Sequence, residues 1–391
     1  MSINFQNKLR VLLLGGGLQA LSVARSLNEI GCIVTDFIDE KDYVAKCKFI
    51  DYKVFSPLFA DENNYKQFLY DYLSKYPQKV IIPMSDKLSD LLSRNKEEIE
   101  RLFEVQCAIP EYGIFKVAYD KWELLKICAE YNLPHPRTML LYENNLEIAA
   151  KYVGFPALIK PNKSVGARGI TLVNNMDELS FKYLAVQKSY GNCTLQEFID
   201  NQGPYYNVML YRDRNGRIVN HTVIEIIRYY PVKGGSSCFC RTIKNNELIK
   251  LCAQTLEILM WIGFADFDIL QNKNGEFKII EINPRVPASI RAASISGVNF
   301  PSLIVNDLLN NPLQSYDYQE GMFLRYLGLD IMWFLASPER FKAKPSWFTF
   351  IGKKLYYQEG GYKDLWAMLF SIWNGFKKAI NPSFRKSKSG L

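Results

Sequence analysis

At 391 residues the chain is long enough for two or three domains, and its 48% hydrophobic and 23% charged content is that of a soluble globular protein. No run is long and apolar enough to span a bilayer, and residues 1–10 lack the apolar core of a signal peptide, so a cytoplasmic location is expected. The net charge of +8 favours anionic ligands without pointing to nucleic acid; eight cysteines lack paired metal spacing, and two histidines supply a histidine-centred triad poorly.

Residues 9–110 alternate strand and helix: a buried strand at 11–14, a turn at Gly15-Gly16-Gly17, a helix over 19–30, and strands at 32–35 and 79–83. This pattern predicts a doubly wound sheet with a crevice at the strand C-termini. Gly15-x-Gly17-x-x-Ala20 fits the dinucleotide fingerprint, with Asp36 or Asp39 near the ribose-binding position. An NAD-linked oxidoreductase is one reading of that segment.

Further along, a helix opens at Asp120-Lys121. Residues 155–161 form an apolar strand carrying Lys160 near its end and closed by Pro161, which has no donor to give. The small-residue loop at 162–170, with Gly166 and Gly169, can bring backbone N–H groups onto a polyphosphate. Residues 212–217 read as a hairpin turn, 228–237 as a basic glycine-bearing loop, and 247–261 as an amphipathic helix.

Two apolar runs then flank Asn274-Gly275, a strong hairpin signal. With a two-residue turn there, Lys273 faces Glu276 and Asp268 falls opposite Glu281. Asn283 projects from the same face as Glu281. Hard oxygen ligands of this kind suit Mg²⁺ that is also held by nucleotide phosphates. Asp266, read as facing the other side of its strand, is the alternative ligand.

Residues 281–285, Glu-Ile-Asn-Pro-Arg, after an Asp-bearing strand closely resemble the metal-binding signature of the ATP-grasp ligases, and the resemblance runs from Ala118 to about residue 312. It implies a Rossmann-like domain (1–112), a two-lobed α+β ATP-grasp domain (113–315, lid lobe about 130–195) and a C-terminal extension (316–391). In that frame the glycine turn at 15–17 shapes substrate contact without binding NAD. Lys121 and Lys160 reach the ATP phosphates, with Ser164, Gly166 and Gly169 in the covering loop, and Gln196, Glu197, Phe198 and Ile199 at the adenine hinge. Asp268, Glu281 and Asn283 hold Mg²⁺ or Mn²⁺. Arg285 stabilises developing negative charge, and Arg291 clamps a substrate carboxylate. Tyr205 stands where many relatives place a ribose-binding acid, which is a departure from the pattern.

The implied activity is ADP-forming ligation of a small-molecule carboxylate to an amine through an acyl phosphate. Activation of bicarbonate or carbamate, as in carbamoyl phosphate synthase, and a non-catalytic nucleotide-binding protein are the alternatives. Residues 365–373 are aromatic and are followed by basic residues through 388. That segment reads either as packing against the preceding domain or a dimer partner, or as a peripheral contact with an anionic membrane. Similar tails occur on ATP-grasp proteins associated with surface-polysaccharide biosynthesis.

Overall fold

The computed structural model describes residues 8–57, 59–163, 169–199, 203–232, 235–360 and 365–380. Its strands form three sheets, taken up in chain order. The first holds β1 (Arg10–Leu14), β2 (Ile33–Ile38), β3 (Tyr52–Phe55), β4 (Val80–Pro83) and β5 (Gln106–Cys107), all parallel, in the order β3-β2-β1-β4-β5. Leu12, Leu13 and Leu14 are fully buried, as a parallel strand covered on both faces requires. The strand order reverses between β1 and β4. A crevice therefore opens beyond their C-terminal ends, beside the glycine turn and Met84.

The second sheet is small and antiparallel: β6 (Thr138–Leu140), β7 (Ala157–Pro161), β8 (Thr171–Val173) and β9 (Cys193–Glu197), in the order β6-β9-β7-β8. The helices Leu146–Val153 and Met176–Tyr190 cover it, and its apolar side chains form a separate core around Ile159, Tyr183 and Leu195. This is a lobe in its own right.

The third sheet comprises β10 (Tyr205–Arg212), β11 (Ile218–Tyr230), β12 (Ser236–Ile243), β13 (Gly263–Gln271), β14 (Phe277–Asn283), β15 (Phe323–Arg325) and β16 (Leu355–Tyr357), ordered β14-β13-β10-β11-β12-β15-β16. One of its faces shares a core with the first sheet, joining Leu21 and Val23 to Met209, Ile224 and Ile290. The other packs on the helices Lys121–Glu130 and Asn246–Ile258 through Leu125, Leu256 and Phe267.

Two expectations change here. Residues 316–360 are not appended to the third sheet but continue it, because β15 pairs antiparallel with β12 and β16 parallel with β15. Arg228, read as the start of a basic glycine-bearing loop, lies on β11 and is 2% exposed. Both of its carboxylate-facing nitrogens reach Asp330, Nε to Oδ1 at 2.7 Å and Nη2 to Oδ2 at 2.9 Å. The fully buried Arg325 donates to the same carboxylate from Nε at 2.7 Å.

Spare guanidinium donors go to the carbonyls of Pro345, Trp347 and Thr349. The ring of Phe239 lies 4.1 Å from the Arg228 guanidinium, and that of Phe350 4.4 Å from Arg325. Each buried guanidinium thus has hydrogen-bond partners and a π face, which offsets much of its desolvation.

Asp330→Ala removes the carboxylate between two buried cations. It is expected to lower the midpoint of chemical unfolding by the equivalent of about 3–5 kcal/mol. Substitution of the surface residue Arg340 should leave that midpoint within about 0.5 kcal/mol.

Candidate active site

The three sheets meet around one cavity of about 770 Å³, in the size range of small-molecule sites. Leu18, Gln19, Met84, Ser85 and Asp86 line it from the reversal point of the first sheet, and Leu158, Lys160 and residues 196–199 from the small lobe. Tyr205, Asn207, Asp266, Asp268, Glu281 and Asn283 line it from the third sheet.

Across the third sheet Asn207, Asp268 and Glu281 stand in one row, with Asp266 opposite Asn283 in the next. The expected pairing of Asp268 with Glu281 is present, but the turn beneath it is not the expected one. Asn272 pairs with Glu276 around a three-residue loop, whose Gly275 takes φ +83°. That shifts the register by one, and a bulge at Ile280 shifts it back, since Ile269 faces Ile279 while Asp268 faces Glu281. Asp266 was read as facing away from Asp268. Residues two apart on a strand share a face, and both line the cavity.

The cluster is held by partners that local sequence could not supply. Asn207 donates Nδ2 to Asp268 Oδ1, and Asn283 donates Nδ2 to Asp266 Oδ2 at 3.1 Å. Tyr205, in place of an acid, hydrogen-bonds Asp268, and its hydroxyl pKa is raised by burial and by the neighbouring carboxylates. Lys121 begins its helix beside the N-cap Asp120, and its Nζ lies 2.9 Å from Glu281 Oε2. Burial would raise the Glu281 carboxyl, but Lys121, a hydrogen bond with Asp268 and the charge of Lys160 together lower its pKa. Asp268 moves the other way, upward, through burial and the adjacent Glu281.

Two buried carboxylates side by side cannot both carry full charge without a cation between them. Asp266 keeps Oδ1 buried without a hydrogen-bond partner. Among the described residues no group of three or more His, Cys, Asp and Glu is placed to hold a metal unaided. The donors here are carboxylates supplemented by amides, an all-oxygen set that fits a hard divalent cation.

Lys160 donates Nζ to Gln196 Oε1 at 2.5 Å, and Gln196 donates in turn to Thr138. Burial lowers the Lys160 pKa to about 8, against the pull of Glu281. Glu197 points its carboxylate at Arg137, Nε–Oε2 3.3 Å, so at this hinge the backbone and the apolar Phe198 and Ile199 remain to face a ligand. Gly169 has φ +76°, and a Cβ there would sit 2.7 Å from Pro161 Cγ. Ser164 and Gly166 lie outside the described residues, as do Lys233 and Gly234 of the loop at 228–237.

Arg285 borders the cavity with Nε 2.8 Å from Asp86 Oδ1. Asp86 opens the helix Asp86–Arg94, capped by Ser85. Sequence reasoning missed it because the pair spans 199 residues. Arg291 is not brought to the cavity. It sits on the helix Ile290–Ser296, where the helical turn directs it away from the cavity-lining Ser289, and its Nε donates to the Tyr357 carbonyl at 2.9 Å. Burial, with Arg25 nearby, lowers its pKa to about 10. Asp36 is fully buried and Asp39 is exposed, and neither of these ribose-binding candidates lines the cavity. Neither histidine lines the cavity either.

Residues 118–289 match the family model for the ATP-grasp domain. The chain is 25% identical over 338 residues to D-aspartate ligase of Enterococcus faecium (strain Aus0004), covering 78% of each chain. It is 26% identical over 267 residues to D-alanine–D-alanine ligase of Stutzerimonas stutzeri (strain A1501), covering 59% of this chain and 83% of the relative.

Among solved structures, the biotin carboxylase domain of Hydrogenobacter thermophilus 2-oxoglutarate carboxylase, in complex with MgADP, ADP and bicarbonate, superposes with a TM-score of 0.69 at 17% identity, over 80% of this chain and 73% of that one. An L-amino acid ligase from Bacillus licheniformis gives 0.61 at 17% identity, over 79% and 75%. At such identities these two likenesses speak for the fold alone. Residues 118–289 thus match an ATP-grasp domain, the fold is that of ATP-grasp enzymes, and the curated relatives are ligases.

The depressed Lys160 pKa has a checkable consequence. Unfolded, the ammonium holds its proton up to about 10.5; folded, only to about 8. Between these limits the unfolded chain binds more protons, so rising pH favours the folded state. The burial penalty, on the order of 3 kcal/mol, is present in full below pH 8 and is relieved as pH climbs to 10.5. Denaturant midpoints measured across that window should rise for the wild type relative to Lys160→Met.

Proposed function

We propose that the chain activates the carboxylate of an amino acid as an acyl phosphate, using the γ-phosphoryl group of ATP, and transfers it to an amine. The observation that carries this reading is the arrangement in one cavity: the Asn207–Asp268–Glu281 row, Lys160 from the small lobe, Lys121 from the helix packed on the third sheet, and Arg285 paired with Asp86. An amino-acid substrate is favoured because D-aspartate ligase and D-alanine–D-alanine ligase each carry one in their names.

Asp268 and Glu281, with the amide of Asn283, are the residues to hold Mg²⁺. When bound, the ion would neutralise phosphate charge and let both carboxylates ionise. Asn207 and Tyr205 fix the Asp268 carboxylate, so that donor is oriented before any ligand arrives.

Lys160, desolvated and held by Gln196, presents its charge to phosphate oxygens at short range. Lys121 lies next to it, tethered to Glu281. The hinge at 196–199 offers backbone hydrogen bonds and the apolar surface of Phe198 and Ile199 to the adenine. Arg285 is fixed by Asp86 and meets the negative charge that develops when the amine adds to the acyl phosphate. Asp86 is a positioning residue in this scheme.

The order of chemistry is the decisive test. With Mg²⁺-ATP and a suitable amino acid, ADP and phosphate should form, and ¹⁸O from the substrate carboxylate should appear in the released phosphate. AMP with pyrophosphate, or ¹⁸O in AMP, would overturn the mechanism. ADP formation that depends on bicarbonate rather than an amino acid would transfer the reading to bicarbonate activation.

The metal assignment is separable from that question. Glu281→Gln should abolish Mg²⁺-dependent ATP turnover with the far-ultraviolet circular dichroism unchanged. A variant retaining near-normal rate would remove Glu281 from the ligand set.

A further inference from the structure

The C-terminal helix Leu365–Ile380 presents its faces in an unusual order. Towards the protein it turns small residues: Ser371 is fully buried, and Gly375 meets Gly328 so closely that a Cβ on Gly375 would lie 2.9 Å from the Gly328 Cα. Towards solvent it turns Trp366, Leu369, Phe370 and Trp373, at the spacing of one helical stripe. Trp366 is 68% and Trp373 59% exposed. A stripe of this kind ordinarily faces a core. Here it is the outer surface, and Lys377 extends it one turn further.

Charge is segregated with it. Residues 335–391 contain eleven Lys and Arg against three Asp and Glu, an excess of eight that equals the net charge of the whole chain. The first 334 residues balance, 37 against 37. Within the same region Phe341, Phe348 and Ile351 are exposed among Lys342, Lys344, Lys353 and Lys354.

No helix of the described residues is long and apolar enough to cross a membrane. From these observations we propose that the C-terminal helix lies on an anionic lipid surface, with Trp366, Leu369 and Trp373 among the acyl-chain ends and the surrounding lysines and arginines at the headgroups. Amphipathic helices with aromatic apolar faces and basic flanks bind in this way. Charge decides between a bilayer and a second copy of the chain. A two-fold contact would bring two equally basic segments together, whereas an anionic surface complements them.

The test uses the full chain with vesicles of phosphatidylcholine alone, or containing about one-third phosphatidylglycerol. Co-sedimentation is expected with the anionic vesicles only, weakening steeply at high salt, with a blue shift of tryptophan emission on binding. The double variant W366E/W373E should lose on the order of tenfold or more in partitioning. Its circular dichroism and thermal unfolding should match the wild type, because both side chains are exposed.

Equal partitioning of variant and wild type would overturn the proposal, and so would failure of the wild type to bind anionic vesicles. A concentration-dependent dimer that W366E/W373E dissolves, with no vesicle binding, would reassign the face to contact between copies.

Discussion

The extra residue at Ile280 reconciles two demands that a regular strand cannot meet together. β14 must bury Phe277, Ile279 and Ile282 against the helices behind the third sheet, and it must also turn Glu281 and Asn283 towards the cavity. Strict alternation from Ile279 would send Glu281 into the apolar core and Ile282 out of it. The bulge places Ile280 and Glu281 together on the cavity side, after which alternation resumes. Everything that gathers at Glu281, from the Lys121 ion pair to the alignment with Asp268 and Asn207, rests on that one insertion.

Once the carboxylates face inward, their charge governs the surroundings. Asp266, Asp268 and Glu281 are matched by Lys121, Lys160 and Arg285, and these cations arrive from separate parts of the fold. Lys121 comes from a helix, Lys160 from the small lobe, and Arg285 is secured by Asp86 of the first sheet's domain. A charge buried in this way is tolerable only with its partner in place. The electrostatics of the cavity therefore depend on all three sheets being docked. The small lobe nevertheless keeps a core of its own.

How much of this was legible in sequence follows the distance over which each residue acts. Three of the five strands of the first sheet (β1, β2 and β4), the helix opening at Asp120-Lys121 and the pairing of Asp268 with Glu281 rest on local pattern and match the structure. The two-residue turn was wrong. It yielded the right pairing because the loop and the bulge shift the register in opposite directions. A signal for the bulge was present in the apolar spacing, since Ile279 and Ile282 are three apart where alternation asks for two.

Asp86 and Asn207 could not be found in the same way, because their roles arise only when distant segments meet. Arg291 failed for a geometric reason: helical phase, not proximity in sequence to Arg285, decides which way it faces. The strand character of 316–360 was hidden too, because β15 and β16 are three residues each and form only by pairing, β15 with β12 and β16 with β15.

The buried Arg228–Asp330–Arg325 cluster has a bearing on how such a chain can diversify. Its members come from a strand at the middle of the third sheet, a strand near its edge, and the helix that follows. Loss of Asp330 leaves two buried arginines without their carboxylate, and loss of either arginine takes donors away from Asp330 and from the carbonyls of Pro345, Trp347 or Thr349, so stepwise neutral drift is closed to all three. Lineages of this protein should keep the set whole or exchange it in a single coordinated replacement. The heritable unit is consequently longer than the segment that holds the nucleotide, and a recombination that joined residues 1–315 to a foreign C-terminus would inherit an arginine with nothing to answer it.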